Sequence, residues 1–198
     1  MNLYKFIEKP KIYNFIEKIL SLGNKSCERC LLELINSNKH DLLLDVGCGT
    51  AKYANLLPGK YYGIDTNKDY IDYAKNNYKG NFSVMDATDL EFPDNNFNFV
   101  FNVGVLHHIS DENVKMALDE MKRVCKNNGK IFIIEAIYPS KINFIGYLLF
   151  KFDRGKYTRT INNLKELLEG KNFSLLRDNI KGSFPYKLCV FVYENKLL

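Results

Sequence analysis

The stretch Leu42-Leu43-Leu44-Asp45-Val46-Gly47-Cys48-Gly49-Thr50 constrains the fold of this chain more than any other. An apolar run carrying one acid flows straight into two glycines spaced by one residue. Such a run reads as a buried strand. The glycine pair reads as a tight turn, because glycine reaches φ > 0 and has no Cβ to hold a ligand away. In an open α/β sheet, ligands sit just outside the carboxyl ends of the strands. The turn therefore marks a nucleotide-like pocket.

Downstream, strand-like and helix-like segments alternate. Strands are expected at 42–46, 60–64, 82–85, 97–103 and 130–136, with helices at about 51–57, 67–77 and 111–126. Thr66 or Asn67 can cap the second of these helices. Pro93-Asp94-Asn95-Asn96 is a turn signal, and Asn127-Asn128-Gly129 reads as the end of the third helix. A helix at about 161–169 and two strands at about 172–179 and 186–193 close the chain. With no helix between them, those two strands should pair antiparallel. Two helices precede the alternation, at 3–22 with a break near Pro10 and at 25–36. The pattern predicts an α/β fold with a Rossmann-like, doubly wound sheet and helices on both faces.

The chain has 198 residues, which suits one domain over 1–198. Residues 1–38 form an N-terminal helical flap in this reading, and 140–160 an insertion. The net charge is +5, but the lysines are scattered and form no stripe, so no nucleic-acid partner is expected. No run approaches the roughly 18 apolar residues of a membrane span. Charges from Lys5 onward interrupt any secretory-signal layout. The expectation is a cytoplasmic protein with no membrane span. Five cysteines, an odd number, point to free thiols. Cys27-x-x-Cys30 has no second pair at zinc spacing, so it reads as two thiols on one helix, and no metal site is expected.

The glycine turn alone does not choose a ligand. The third glycine of the NAD fingerprint is replaced by Lys52, which argues against a pyrophosphate. A phosphate-cradling Gly-x-x-x-x-Gly-Lys-Ser/Thr motif is absent from the sequence. The acids are more telling. Asp65 ends the second strand, where it can accept from both hydroxyls of a ribose. Asp86 follows the third strand, where it can accept from an adenine amine. Asp45 precedes the glycine turn, where it can hold the turn or receive a cationic amino group. Three acids at three successive strand ends suit a ligand with an adenosine and a positive charge. No basic residue is positioned for a phosphate in this reading.

The combined pattern resembles the class I S-adenosylmethionine-dependent methyltransferases. Within them it looks most like the small-molecule branch that includes the ubiquinone and menaquinone enzymes. The matching segments are Leu43 to Thr50, Tyr62-Gly63-Ile64-Asp65, Met85-Asp86-Ala87 through Pro93, Phe97 to Val100, Val105-Leu106-His107-His108-Ile109 and Gly129 to Ile134, which together cover about residues 40–136. Ala51 stands where many members have glycine. The resemblance implies a seven-stranded sheet, six strands parallel and the last antiparallel, and S-adenosyl-L-methionine as cofactor. It places Gly47 and Gly49, with Cys48, under the methionine part. It gives the ribose to Asp65 with Thr66 beside it, and the adenine to Asp86 and the Ala87 backbone. Asn102 and Val103 are expected by the methionine group and the sulfonium.

The same resemblance puts the acceptor after the fourth strand. A histidine there can serve as general base for a hydroxyl; His107 and His108 are the candidates, with His107 preferred. Residues 142–152 form an apolar stretch that reads as a lid over an apolar acceptor or as a helix packed on the N-terminal flap. Asp153 to Arg159 reads as a site for an anionic group on the acceptor, or as a solvated hinge. The expected reaction is methyl transfer to a small-molecule acceptor, at oxygen. The alternatives are an RNA or protein methyltransferase and a non-catalytic S-adenosylmethionine-binding subunit. The first ranks lower because Asn102-Val103-Gly104-Val105 lacks the prolines of base-directed amino methylases.

Overall fold

A computed structural model describes residues 9–20, 25–137, 155–183 and 186–194. Helix α1 (Pro10–Leu20) starts at the proline. Proline fits the first helical position because its missing N–H would find no partner there. Helix α2 (Ser26–Leu34) follows. Strand β1 (Leu42–Val46) is the apolar run ahead of the glycine turn, and β2 is Lys60–Asp65. Helix α3 (Lys68–Asn77) is capped by Asn67, whose side chain accepts from the Asp69 and Tyr70 amides. Next come β3 (Asn81–Val84), β4 (Phe97–Val103) and a short 3-10 turn at Leu106–His108.

Helix α4 (Asp111–Val124) has Ser110 as its cap, acids in its first turn and Lys122 and Arg123 in its last. That charge order complements the helix dipole. Strand β5 (Cys125–Ile137), helix α5 (Ile161–Glu169), β6 (Ser174–Arg177) and β7 (Lys187–Glu194) complete the order.

The sheet has seven strands in the order β3-β2-β1-β4-β5-β7-β6. All pairings are parallel except β5 with β7 and β6 with β7, so β7 alone runs against the others. The reversal between β1 and β4 is the switch point at which an α/β sheet opens a crevice. Successive strand residues face opposite sides, and the two cores follow that rule. Leu44, Val100, Ile131, Ile133 and Phe191 pack on one side against Val114, Leu118 and Met121 of α4 and Leu164 and Leu168 of α5. Leu43, Phe101, Phe132, Ile134 and Val190 pack on the other against Cys30 and Leu31 of α2 and Ile71 and Ala74 of α3. Helices therefore cover both faces, as the alternation predicted.

Two expectations are corrected. No helix forms at 51–57. Ala51 is buried with φ 60, a left-handed conformation that an α-helix cannot continue through. The amides of Ala51, Ala54 and Leu56 bond three residues back, as successive tight turns, until Pro58. The Asn127-Asn128-Gly129 segment does not end a helix. Helix α4 stops at Val124, and β5 starts at Cys125 with a bulge. Between the pairs Phe97–Cys125 and Phe99–Lys130, β4 advances two residues and β5 five. Gly129 is needed there, because a Cβ would lie 2.6 Å from Cys125 Sγ and 2.9 Å from the Asn98 carbonyl. The expected apolar segment 142–152 lies outside the described residues, as do 1–8 of the flap.

Candidate active site

A cavity of about 370 Å³ opens at the carboxyl ends of β1 to β4, beside the switch point. Its floor is the glycine turn. The amides of Gly47 and Cys48 both donate to the Ile64 carbonyl at 2.8 Å, and the Gly49 amide donates to Asp65 Oδ2 at 2.9 Å. The turn is thus clamped to the end of β2. Gly47 has φ +76, and a Cβ there would run into the Val105 side chain. The Cys48 side chain packs over Gly63 of β2, where a Cβ would come within 2.9 Å of its sulfur. Burial pushes the Cys48 thiol far up, so it stays protonated and acts as packing.

The three acids meet in this cavity, each held differently. Asp45 is 1% exposed and accepts from the Tyr61 hydroxyl at 2.5 Å. Burial pushes its carboxyl up to about 7, against the opposing pull of the Tyr61 hydroxyl and the Lys52 ammonium. Asp65 also accepts from the Asn67 amide, at 2.8 Å through Oδ1. Asp86 is exposed and accepts from the amide and hydroxyl of Thr88 at 2.8 and 2.7 Å. Its loop is tied to α4 by Arg123, which donates to the Leu90 and Phe92 carbonyls and to Glu120 and Asp94. Thr66, Ala87 and Val103 line the cavity as well. Asn102 is not on its wall. It is 1% exposed, with Nδ2 donating to the Val46 carbonyl at 2.8 Å and Oδ1 buried without a donor. It stitches β4 to β1 just before the glycine turn.

Several residues of the wall were not expected, among them Lys52 and Tyr13. Lys52 lines the cavity. Tyr13 of α1 lines it too. Its ring packs on Tyr70 with centroids 4.9 Å apart, while Thr50 Oγ1 donates to Asn14 Oδ1 at 2.6 Å. Helix α1 therefore seats on the glycine turn.

Past β4, the preference between the two histidines reverses. His108 is exposed and lines the cavity; His107 is buried and does not. His107 Nδ1 lies 2.6 Å from Glu135 Oε1, and its ring is 4.1 Å from that of His108. Glu135, near the end of β5, is 2% exposed. It also accepts from the Ala136 amide at 2.9 Å and, through Oε2, from the Leu106 amide at 2.7 Å. Arg159 closes the bracket from the other side. Its guanidinium donates to the Leu106 and Ile109 carbonyls at 2.7 and 2.9 Å and to Asp111 Oδ1. It is 8% exposed, so both readings of its segment, anion site and solvated hinge, are corrected at Arg159. Glu135 was missed, although a lone acid ending the apolar run Ile131 to Ile134 is the same signal that marked Asp45.

None of the five cysteines forms a disulfide, and Cys27 and Cys30 share α2. Among the described residues no cluster of three His, Cys, Asp or Glu side chains is arranged to hold a metal ion. No described helix is long and apolar enough to cross a membrane.

Sheet order, switch-point cavity and strand-end acids define a nucleotide-cofactor enzyme of the doubly wound class. Comparison with known proteins narrows the class. A family profile described as a methyltransferase domain matches residues 44–133. The chain is 27% identical to a phosphoethanolamine N-methyltransferase of Plasmodium falciparum, over 96% of this chain and 77% of that protein. It is 30% identical to a demethylmenaquinone methyltransferase of Thermotoga maritima, over 68% and 61% of the two. It is 32% identical to a tRNA (carboxymethyluridine(34)-5-O)-methyltransferase of Schizosaccharomyces pombe, over 48% and 42%. A TehB-like S-adenosylmethionine-dependent methyltransferase of Corynebacterium glutamicum shares the fold, with a TM-score of 0.68 at 18% identity over 94% and 98%. Residues 44–133 are a methyltransferase domain on the fold of S-adenosylmethionine-dependent methyltransferases, and S-adenosylmethionine is its cofactor.

The residues fit that cofactor. The strand-end acids offer acceptors to its hydroxyls, amine and ammonium, and the floor at Gly47 has no room for a side chain.

Proposed function

We propose that this chain transfers a methyl group to the hydroxyl of a small-molecule acceptor. The observation that carries the reading is His108, on the wall of the same cavity that holds Asp45, Asp65, Asp86 and the glycine turn. When bound, S-adenosylmethionine supplies an electrophilic methyl group on a sulfonium. Asp65, already oriented by the Gly49 and Asn67 amides, accepts from the ribose hydroxyls; an ionised carboxylate has about four acceptor sites. Asp86 and the Ala87 amide take the adenine, with Thr66 beside the ribose. Gly47, Cys48 and Gly49 let the backbone approach the methionine part, and Val103 lies alongside it. Asn102 acts from behind by holding the end of β1.

His108 takes the proton from the acceptor hydroxyl. His107 and Glu135 brace it from behind, and Arg159 fixes the turn that carries both rings. Such a base contributes about 10²–10⁴ in rate. The rest of the acceleration is positioning and exclusion of water. In this reading the chain acts in the cytoplasm as one domain spanning 1–198, with residues 1–38 and 140–160 assigned to the choice of acceptor.

A second reading, transfer to tRNA, is favoured by the similarity to the tRNA methyltransferase of S. pombe. The experiment that separates them incubates the chain with methyl-labelled S-adenosylmethionine and either a small-molecule extract or bulk tRNA. Label in a small-molecule methyl ether, slowed about a hundredfold by His108→Ala, is the expected outcome. Label in tRNA alone moves the acceptor to nucleic acid. An unchanged rate in His108→Ala removes the base role.

A further inference from the structure

Cys27 and Cys30 lie outside the cavity and take no part in methyl transfer. Both sit near the start of α2, three positions apart, so they share one face of that helix. Helix geometry puts their Cα atoms about 5 Å apart, inside the roughly 4.4–6.8 Å that a disulfide spans. Cys27 is half-buried, whereas Cys30 is 1% exposed and packs into the core with Leu43 and Val190. Cys48, Cys125 and Cys189 are buried on other elements.

Their surroundings give the two thiols different roles. Solvent reaches Cys27, and it stands where the first amides of the helix favour negative charge. Burial pushes the Cys30 thiol up to about 11, so it is not the group that attacks first. Arg177, the last residue of β6, pulls the other way. Its Nη1 lies 3.9 Å from Cys30 Sγ and donates to Glu33 Oε2 at 2.8 Å. A guanidinium so placed receives a thiolate formed at Cys30. The first turn of α2 also has slack, because Lys25 at its N-cap gives it no side-chain hydrogen bond. A disulfide would use that slack. Cβ atoms three apart on a helix are about 5–6 Å apart, and the bond needs about 3.5–4.5 Å. A disulfide closed against such strain is readily reduced again.

We propose that Cys27 and Cys30 form a reversible, peroxide-driven disulfide site that loosens α2 from the sheet, with Cys27 attacking and Cys30 resolving. The Cys27 thiolate attacks one oxygen of hydrogen peroxide. The O–O bond breaks, and the leaving hydroxide takes the proton that Cys27 shed and becomes water. Cys27 is left as a sulfenic acid. The Cys30 sulfur then attacks the Cys27 sulfur. The S–O bond breaks, and hydroxide leaves with the Cys30 proton as a second water. Two thiols have lost two electrons, and one peroxide has become two waters. In the return step a dithiol attacks Cys27, the more accessible sulfur, and Cys30 leaves as a thiolate facing Arg177. Closing the bond draws Cys30 Sγ away from Arg177 and from the core it fills in the reduced chain.

The test treats the full chain with hydrogen peroxide, counts its thiols in urea and maps any new bond by mass spectrometry of its peptides. The five thiols should fall by two, to three, with Cys27 linked to Cys30 and the two thiol hydrogens lost. Dithiothreitol should restore all five. Cys27→Ser should keep its remaining thiols under peroxide, and Cys30→Ala should hold a sulfenic acid at Cys27 that a cyclic dione labels. The oxidised wild type should unfold at lower urea than the reduced chain, whereas peroxide should not move the midpoint of Cys27→Ser. Survival of all five thiols, a bond through Cys48, Cys125 or Cys189, or a Cys27 link between two chains would overturn the assignment. So would an unfolding midpoint that the Cys27–Cys30 bond leaves unchanged.

Discussion

On the β2–β3 side of the cavity, each carboxylate is fixed by groups close by in the sequence. Asp65 is held by the amides of Asn67 and Gly49, two and sixteen residues away, and Asp86 by Thr88, two residues away. On the β4–β5 side, the histidine turn is held from far off. Glu135 reaches it across 28 and 29 residues, and Arg159 across 48 to 53. The first kind of contact survives as long as its own loop survives. The second exists only when the whole fold is in place. Damage to the first side should therefore register mainly as lost cofactor affinity, and damage to the second mainly as lost stability.

Glu135→Ala should have the largest effect. It leaves the Leu106 and Ala136 amides and the His107 ring facing a cavity where a buried carboxylate stood. A stability loss of about 3–5 kcal/mol is expected in urea unfolding, and a loss below 1 kcal/mol would break the comparison. Gly47→Ala comes next, because its Cβ meets Val105 and its φ of +76 disfavours any side chain. Overpacking of this kind costs about 1–3 kcal/mol. It should appear as weaker S-adenosylhomocysteine binding together with a lower unfolding midpoint. Asp65→Ala should cost about 1–3 kcal/mol of cofactor affinity, and less than that in stability. The opposite ranking would mean that Asp65 serves the turn alone.

The smallest effect is a pH dependence set by Asp45. The groups facing it are Tyr61 from β2, Lys52 and Cys48 from the turn, and Asp65 at the end of β2. With its carboxyl raised to about 7, the native chain holds a proton that the unfolded chain has released. Its contribution to stability is then fully present below about pH 4 and is lost as the pH rises to 7. Binding of an ammonium asks for the opposite state. S-adenosylhomocysteine affinity should rise between pH 5.5 and 7.5, by at most about tenfold per pH unit. Asp45→Asn should flatten the profile, and a flat wild-type profile would separate Asp45 from the ligand's charge.

The same division decided what could be read from the sequence. Asp45, Gly47, Asp65 and Asp86 were legible because a strand, its terminal acid and its turn form one local signal. The sheet was legible for a similar reason: Leu43 and Leu44 must face opposite cores, and both are apolar. His108 could not be chosen over His107, because adjacency fixes only that the two rings differ. Which ring faces the cavity depends on Glu135, which arrives from another strand. Arg159 was misread because a charge in a short polar run gives no hint of three carbonyl and carboxylate partners waiting in a distant turn. The missing helix after Gly49 turned on the φ of one alanine. Apolar spacing does not report that angle.

Glu135 grips His107 just before residue 138. The chain returns with Gly155, whose Cα has no room for a Cβ against the His107 ring, and with the Tyr157 amide donating to the His107 carbonyl at 2.9 Å. The end of β5 and residues 155–157 are thus fastened to one histidine. One side chain and its own carbonyl therefore couple the end of β5 to residues 155–157, and a change at His107 is felt at both.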